Sequence, residues 1–320
     1  MAMKQAIEAY ELLDASTVNG EVVASTLRDR GLDVQVRHLS GPKGETDFLK
    51  ILIPGEQGRR AGGPAPTMGI IGRLGGIGAR PSKIGLVSDA DGAIAAVAVA
   101  LKLADMRAHG DVLPGDVIVT THICPRAPTK PHRPVPFMDS PVDIGTLVRL
   151  ETDPAMEAIL SIDTTRGNRV INTRGIAISP TVKEGYILRV SEDLLDILEV
   201  VTGRLPVVFP VTTQDITPYG NGIYHLNSIL QPATVTTAPV VGVALTSEVA
   251  VPGSATGASQ VVDVEQAVRF CIEVAKAFGA GACRFYDPEE FDRLIQLYGP
   301  MRHLQAPQPW SVPSEGEGYV

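Results

Sequence analysis

Val117-Ile118-Val119-Thr120-Thr121-His122-Ile123-Cys124-Pro125 is an apolar run that passes abruptly into a polar cluster. The pattern recurs along the chain. Residues 67–72 lead into Arg73-Leu74-Gly75-Gly76, 84–88 into Asp89-Ala90-Asp91-Gly92, and 158–162 into Asp163-Thr164-Thr165-Arg166. Residues 206–211 lead into Thr212-Thr213-Gln214-Asp215, and 239–246 into Ser247-Glu248. Unbroken Val/Ile/Leu runs suit strands buried on both faces. Helical spacing of apolar residues over 93–106, 191–202 and 264–278 supplies helices to cover those faces. The expected class is α/β, a mixed, largely parallel sheet covered by helices on both faces.

On the N-terminal side, 4–13 and 20–30 have helical spacing, with Asn19 available as a cap and Gly31 as a stop. Residues 33–38 and 48–53 read as two strands around a turn at 40–44, and 55–66 reads as an exposed, flexible connection. The segment 125–141 carries six prolines, too many for a helix or a central strand, and its length suits a lid or an arm clasping another subunit. From Ala306 onward periodicity is lost, which predicts an extended tail in which Trp310 docks on the body or on a neighbouring subunit. These boundaries divide the chain into an N-terminal elaboration (1–65), an α/β core carrying the site (66–300) and the tail (301–320).

The 320 residues include 28 Lys+Arg against 36 Asp+Glu, a net charge of −8. That balance, with no basic cluster longer than Arg59-Arg60, argues against nucleic acid or an anionic membrane surface as partner and favours a small molecule. The longest apolar stretch, 93–101, is half of the roughly 20 residues a membrane span requires. The first residues lack the pattern of an export signal. Three cysteines, Cys124, Cys271 and Cys283, form no metal-type spacing and suit a reducing cytoplasm, with Cys271 in a packing position.

Ligand sites of parallel sheets form at the carboxyl ends of the strands. Asp89, His122, Asp163 and Asp215 each stand at such an end. Carboxylate and imidazole are donors for zinc or manganese, although a lone aspartate after a strand also serves as a cap or turn residue. His122 and Cys124 alternate along one strand end, so a persisting strand points both to one face and offers a thiol beside an imidazole. Arg73 and Arg80, among the glycines of 72–78, can hold a substrate carboxylate or pair with Asp89 or Asp163. Tyr219, Asn221 and His225, in or just after the polar turn 212–222, can line the pocket.

Several blocks carry a family resemblance. Gly69-Ile70-Ile71-Gly72-Arg73-Leu74-Gly75-Gly76, Ser88-Asp89-Ala90-Asp91-Gly92, Thr120-Thr121-His122-Ile123-Cys124-Pro125, Thr213-Gln214-Asp215-Ile216-Thr217-Pro218-Tyr219-Gly220-Asn221-Gly222 and Pro252-Gly253-Ser254-Ala255-Thr256-Gly257 resemble a prokaryotic family catalogued as a domain of unknown function, number 1177. That resemblance runs from the first helix to about Tyr298 and implies no activity. The order of elements is also similar, more weakly, to zinc-dependent exopeptidases with paired metals, the aminopeptidases and acyl-amino-acid deacylases. Asp89-Ala90-Asp91-Gly92 before a small-residue helix resembles their metal-bridging aspartate, and Asp163 stands where they carry another ligand carboxylate.

The chain departs from those enzymes at Arg73-Leu74-Gly75 in place of His-x-Asp, at Thr121-His122-Ile123-Cys124 in place of Glu-Glu, and in having no histidine in 253–259. The resemblance therefore implies a three-layer architecture of the phosphorylase or exopeptidase kind with a rearranged ligand set. Asp89, His122, Asp163 and His225 form the expected metal shell, for zinc or manganese. Asp91 is the first candidate for general base, ahead of Glu248 and Glu184, and Cys124 is the alternative catalytic group. Arg73, Arg80, Tyr219 and Asn221 are the expected substrate contacts. The implied function is metal-dependent hydrolysis of an amide in a small peptide or acylated amino acid by a homo-oligomer. The alternative is a non-catalytic small-ligand-binding or regulatory protein that kept the pocket and lost the ligands.

Overall fold

The computed structural model describes residues 1–15, 17–73, 86, 90–131, 137–211, 227–250 and 259–305. Two helices, α1 (Met3–Asp14) and α2 (Gly20–Arg28), lead into the hairpin β1 (Asp33–Gly41) and β2 (Gly44–Ile53). Then follow β3 (Met68–Gly72), α3 (Asp91–Ala108), β4 (Val117–Ile123), the short pair β5 (Thr129–Lys130) and β6 (Phe137–Met138), and α4 (Ile144–Glu151). The second half contributes β7 (Ala158–Thr165), β8 (Gly175–Ile178), β9 (Val182–Lys183), β10 (Tyr186–Ile187), α5 (Glu192–Thr202), β11 (Val240–Thr246), α6 (Val261–Gly279) and α7 (Pro288–Tyr298). A 3₁₀ helix at Ser228–Thr234 precedes β11.

Among the described residues the main sheet has nine strands, in the order β1-β2-β4-β3-β7-β11-β9-β10, with β8 also paired to β11. The central four, β4, β3, β7 and β11, are parallel. Antiparallel strands flank them on both sides. The fold is thus α/β with a mixed sheet whose centre is parallel. No helix among the described residues is long and apolar enough to cross a membrane.

Local chemistry explains the helix starts. Asn19 caps α2 by accepting the Val22 amide at 2.9 Å, and Ser191 caps α5 by accepting the Leu194 amide at 3.3 Å. The layers are less symmetrical than the sequence suggests. The helices predicted at 93–106, 191–202 and 264–278 (α3, α5 and α6) all join one core with α1 and α2 on the same face of the sheet. The opposite face is covered by α4, the 3₁₀ helix and the segment around Phe209 and Val211, over Ile71, Ile118, Ile159 and Ala244.

The strand expected at 206–211 forms only an isolated bridge, Ile178 to Val208. Pro206 and Pro210 remove two of the amides a ladder would need. The strand expected at 84–88 lies outside the described residues except for Leu86, which is buried. The connection 55–66 is pinned: buried Asp116 accepts the amides of Gly55 at 2.9 Å and Arg60 at 2.8 Å. Within the proline-rich segment, β5 pairs antiparallel with β6. Residues 1–65 supply two strands to the main sheet and two helices to its core.

The start of α3 is pressed against the carboxyl ends of β3 and β7. A Cβ on Gly92 would stand 2.4 Å from the Arg73 carbonyl oxygen and 2.8 Å from that of Ile162, and one on Gly72 would stand 2.2 Å from the Gly92 oxygen. Backbone cannot yield as a side-chain tip can. Gly92→Ala is therefore expected to lose about 1–3 kcal/mol through displacement of α3. A urea midpoint equal to that of the wild type would show that this close approach is dispensable.

Candidate functional site

Register brings three expected site residues into one row. Gly72 on β3 pairs with Thr121 on β4 and with Ile162 on β7, and the Arg73 amide continues the ladder to the Ile162 oxygen at 2.8 Å. The next residues, His122, Arg73 and Asp163, consequently stand side by side at the carboxyl edge. Strand alternation turns all three to the face opposite α3. They are 0%, 2% and 1% exposed, so their charge states are set by protein neighbours and little by water.

His122 is held from the N-terminal hairpin. The Thr46 hydroxyl lies 3.0 Å from His122 Nδ1 and donates its single proton to the Ile123 oxygen at 3.1 Å. The hydroxyl must then accept from Nδ1–H, which makes Nε2 the acceptor nitrogen of the ring. Burial, followed by the nearby Arg73 charge, lowers the His122 pKa to about 4. The imidazole is neutral at physiological pH, with its tautomer chosen by Thr46.

Arg73 finds its counter-charge on α4. Its Nε lies 3.2 Å from Glu151 Oε2 and 3.4 Å from Oε1, while Nη1 donates to the Ser228 oxygen at the start of the 3₁₀ helix. Glu151 is itself fully buried, and burial raises its pKa despite the guanidinium. Arg73 is thus a buried partner of Glu151, where the sequence suggested a substrate contact or a pair with Asp89 or Asp163. Asp163 Oδ1 accepts the Thr164 amide at 2.7 Å.

A second arginine–carboxylate pair stands at the start of α3. Arg166, just after β7, donates from Nη2 to Asp91 Oδ2 at 2.6 Å. Asp91 Oδ1 makes no hydrogen bond, and the residue is 1% exposed. Burial raises the Asp91 pKa; Arg166 and the nearby Ser259 hydroxyl pull the other way without cancelling it.

Cys124 does not share a face with His122. The strand ends at Ile123, and Cys124 turns into the core on the α3 side, where its thiol donates to the Glu45 oxygen at 3.4 Å. Burial pushes the thiol up to about 12, so it is protonated and packed at neutral pH. Cys271 is buried in α6 with its thiol also raised by burial. Glu184 lies in the β9–β10 turn, paired with Lys183 and Arg302, and Glu248 is exposed.

Asp89, Arg80, Tyr219, Asn221, His225 and Asp215 lie outside the described residues, as does Trp310. Among the described residues, no group of three or more His, Cys, Asp or Glu side chains could hold a metal ion. Glu151 and Thr46 are the site residues that sequence reasoning missed. Glu151 left one signal: Ile144, Leu147 and Val148 set a helical stripe whose next position is a glutamate. Thr46 left none, since its role depends on the β2–β4 register.

No curated protein matches the chain. Among solved structures it is similar to a mutant of tomato leucine aminopeptidase, at 12% identity over 84% of this chain and 61% of that one, with a TM-score of 0.48. It is similar at 14% identity to the leucyl aminopeptidase of Trypanosoma cruzi, over 83% of this chain and 61% of that one, with a TM-score of 0.48. A glutaminyl cyclase from an Acidobacteriales bacterium is similar at 12% identity, over 88% of this chain and 94% of that one, with a TM-score of 0.47. The chain spans 61% of the length of the two aminopeptidases. Residues 37–308, which include every part of the row and both arginine–carboxylate pairs, match the family described as protein of unknown function DUF1177, and the chain belongs to that family.

Proposed function

We propose that the protein hydrolyses an amide bond in a small peptide or acylated amino acid at the carboxyl edge of β3, β4 and β7. The observation that carries this reading is the His122–Arg73–Asp163 row, in which a neutral imidazole of defined tautomer stands in register with a guanidinium and a carboxylate. A divalent zinc or manganese ion is the proposed cofactor, with Asp89, His122, Asp163 and His225 as its residues. The described donors suit it chemically: His122 keeps Nε2 as the acceptor nitrogen, and Asp163 offers a carboxylate. Such an ion, when bound, polarises a carbonyl and lowers the pKa of a coordinated water.

The chain's own residues supply the remainder. Asp91 is the proposed base: Arg166 holds Oδ2, the Ser259 hydroxyl lies nearby, and burial raises its pKa above the ordinary carboxylate value. Thr46 orients His122, and Glu151 keeps Arg73 neutralised as a pair, so that the row is not flooded by positive charge. Arg80, Tyr219 and Asn221 are the proposed substrate contacts, and a homo-oligomer acting in the cytoplasm is the proposed assembly.

Protein purified without chelator is expected to carry stoichiometric zinc or manganese, to melt higher when the ion is added, and to release amino acid from N-acetyl-amino acids or dipeptides. Substoichiometric metal together with an unmoved melting temperature would sink the metal-dependent reading. One observation favours a second reading, a non-catalytic ligand-binding protein: the Asp91 carboxylate is already committed to Arg166. That reading expects a ligand-induced rise in melting temperature without turnover.

A further inference from the structure

The N-terminal hairpin carries polar chemistry on both of its faces. Thr46 turns to His122, whereas its neighbours Glu45 and Asp47 turn to the opposite face, beside His38 and Ser40 of β1. Register sets the pairs: Asp47 lies directly across from His38, and Glu45 across from Ser40. His38 Nδ1 stands 2.8 Å from Asp47 Oδ1, and Ser40 Oγ stands 3.5 Å from His38 Nε2. An ionised carboxylate only accepts, so Asp47 fixes the proton of the neutral ring on Nδ1. Nε2 is then the acceptor, and the Ser40 hydroxyl donates to it.

The carboxylate is itself anchored. The Gly20 amide, at the start of α2, donates to Asp47 Oδ2 at 2.7 Å. Glycine permits that approach, because a Cβ at residue 20 would stand 2.3 Å from Asp47 Cβ. Asp47 is thus held from one side by α2 and presents its other oxygen to the imidazole. A further element lies on the backbone of β1, the outermost strand of the main sheet among the described residues. Gly41 and Gly44 close the hairpin as a hydrogen-bonded pair, so alternation turns the Ser40 N–H away from β2 toward the open edge. A nucleophilic serine whose own amide is directed outward offers one donor to an oxyanion formed on it.

We propose that Ser40, His38 and Asp47 form a second site, a nucleophile–base–carboxylate relay that accepts the acyl group of an activated carboxylic ester. The spatial order, hydroxyl at one ring nitrogen and carboxylate at the other, is the one acyl transfer to serine requires. Ser40 Oγ bonds to the acyl carbon as its proton passes to His38 Nε2. The ester C–O bond then breaks, and the imidazolium returns the proton to the departing oxygen. Water repeats the sequence on the acyl-serine, which releases the acid and restores Ser40. Glu45 Oε2, 3.8 Å from Nε2, faces the imidazolium between these steps. Ser40 and His38 are both exposed, which suits small acyl groups on a good leaving group. The site shares no side chain with the His122 row and does not rest on the hydrolase reading.

The test is reaction of the chelator-treated protein with para-nitrophenyl acetate, followed by peptide mapping of the acetyl group. It compares the wild type with Ser40→Ala, His38→Gln and Asp47→Asn, with the melting temperature of each recorded. Ser40 is expected to be acetylated at least about tenfold faster than any other serine, and His38→Gln to slow it about tenfold or more while melting like the wild type. Asp47→Asn can still accept the Gly20 amide, but its own amide reverses the ring tautomer, so the same slowing is expected. The wild-type rate should rise with pH as His38 loses its proton, above the ordinary 6.5, because the hydrogen bond to Asp47, its charge and that of Glu45 hold the imidazolium. His38→Gln should lose that dependence. Acetylation spread evenly over the serines, an acetyl group confined to His38, or a His38→Gln rate equal to the wild type overturns the site. Amide hydrolysis, assayed separately with zinc restored, succeeds or fails without moving this result.

Discussion

Glu151→Leu is expected to destabilise the protein by about 3–5 kcal/mol, because it leaves the buried Arg73 of the row without its counter-charge. Arg73 and Glu151 are 2% and 0% exposed, so neither charge has water to fall back on. Removing the carboxylate strands a buried guanidinium that still donates to the Ser228 oxygen but has lost its counter-charge. The opposite single change, Arg73→Met, leaves a buried carboxyl, which can take up a proton because burial already raises its pKa. It should therefore cost less than Glu151→Leu at neutral pH. The double variant is expected to recover most of the loss, since a packed apolar pair of similar volume is often as stable as a buried ion pair. Chemical denaturation of all four proteins gives the coupling energy. A coupling below about 1 kcal/mol would mean that the pair behaves like one at the surface.

The second large effect is a loss of stability in mild acid, traced to His122. In the metal-free protein its pKa is lowered to about 4 from an ordinary 6.5. Between those values the unfolded chain binds a proton that the folded protein does not. Stability contributed by the neutral imidazole is therefore complete above pH 6.5 and declines as the pH falls toward 4, by about 3 kcal/mol in all. Asp91 and Glu151 act with the opposite sign, because their raised pKa values favour proton uptake by the folded state as the pH drops. The comparison that isolates His122 is wild type against His122→Asn, which keeps a donor near Thr46 and does not titrate. The wild-type stability curve should fall more steeply between pH 6.5 and 4.5. Parallel curves would assign the acid lability to another group.

Much of the fold was legible because burial on both faces writes itself into continuous apolar runs. The ends of β3, β4, β7 and β11 follow the runs at 67–72, 117–121, 158–162 and 239–246 closely, and Asn19 acts as the cap its position suggests. The run at 206–211 misled because apolar content alone does not provide amides. Its two prolines hold it to one bridge, and Phe209 and Val211 are buried as cover for the sheet. Which face a helix takes was not legible either. An amphipathic or wholly apolar helix specifies that it must be covered, and the crossover that carries α3, α5 and α6 to the same side is decided by the packing of the whole sheet.

The site divides in the same way. His122, Arg73, Asp163 and Asp91 could be singled out because each follows an apolar run, and in a parallel sheet successive runs end at one edge. Their state could not be read there. Glu151 pairs with Arg73 across 78 residues, Thr46 reaches His122 across 76, and Arg166 reaches Asp91 across 75. Contacts of that separation are set by strand register and helix placement, which no local pattern encodes.

By itself the sequence determined that this is an acidic α/β chain with a parallel centre and ionisable residues gathered at strand ends, since periodicity and composition are properties of the chain. Only the tertiary structure decided that the arginines are paired, that His122 is neutral and held as one tautomer, and that Cys124 is core. Charge state and hydrogen bonding in a buried site depend on which groups are brought within a few ångströms, and that is fixed when the sheet closes over them.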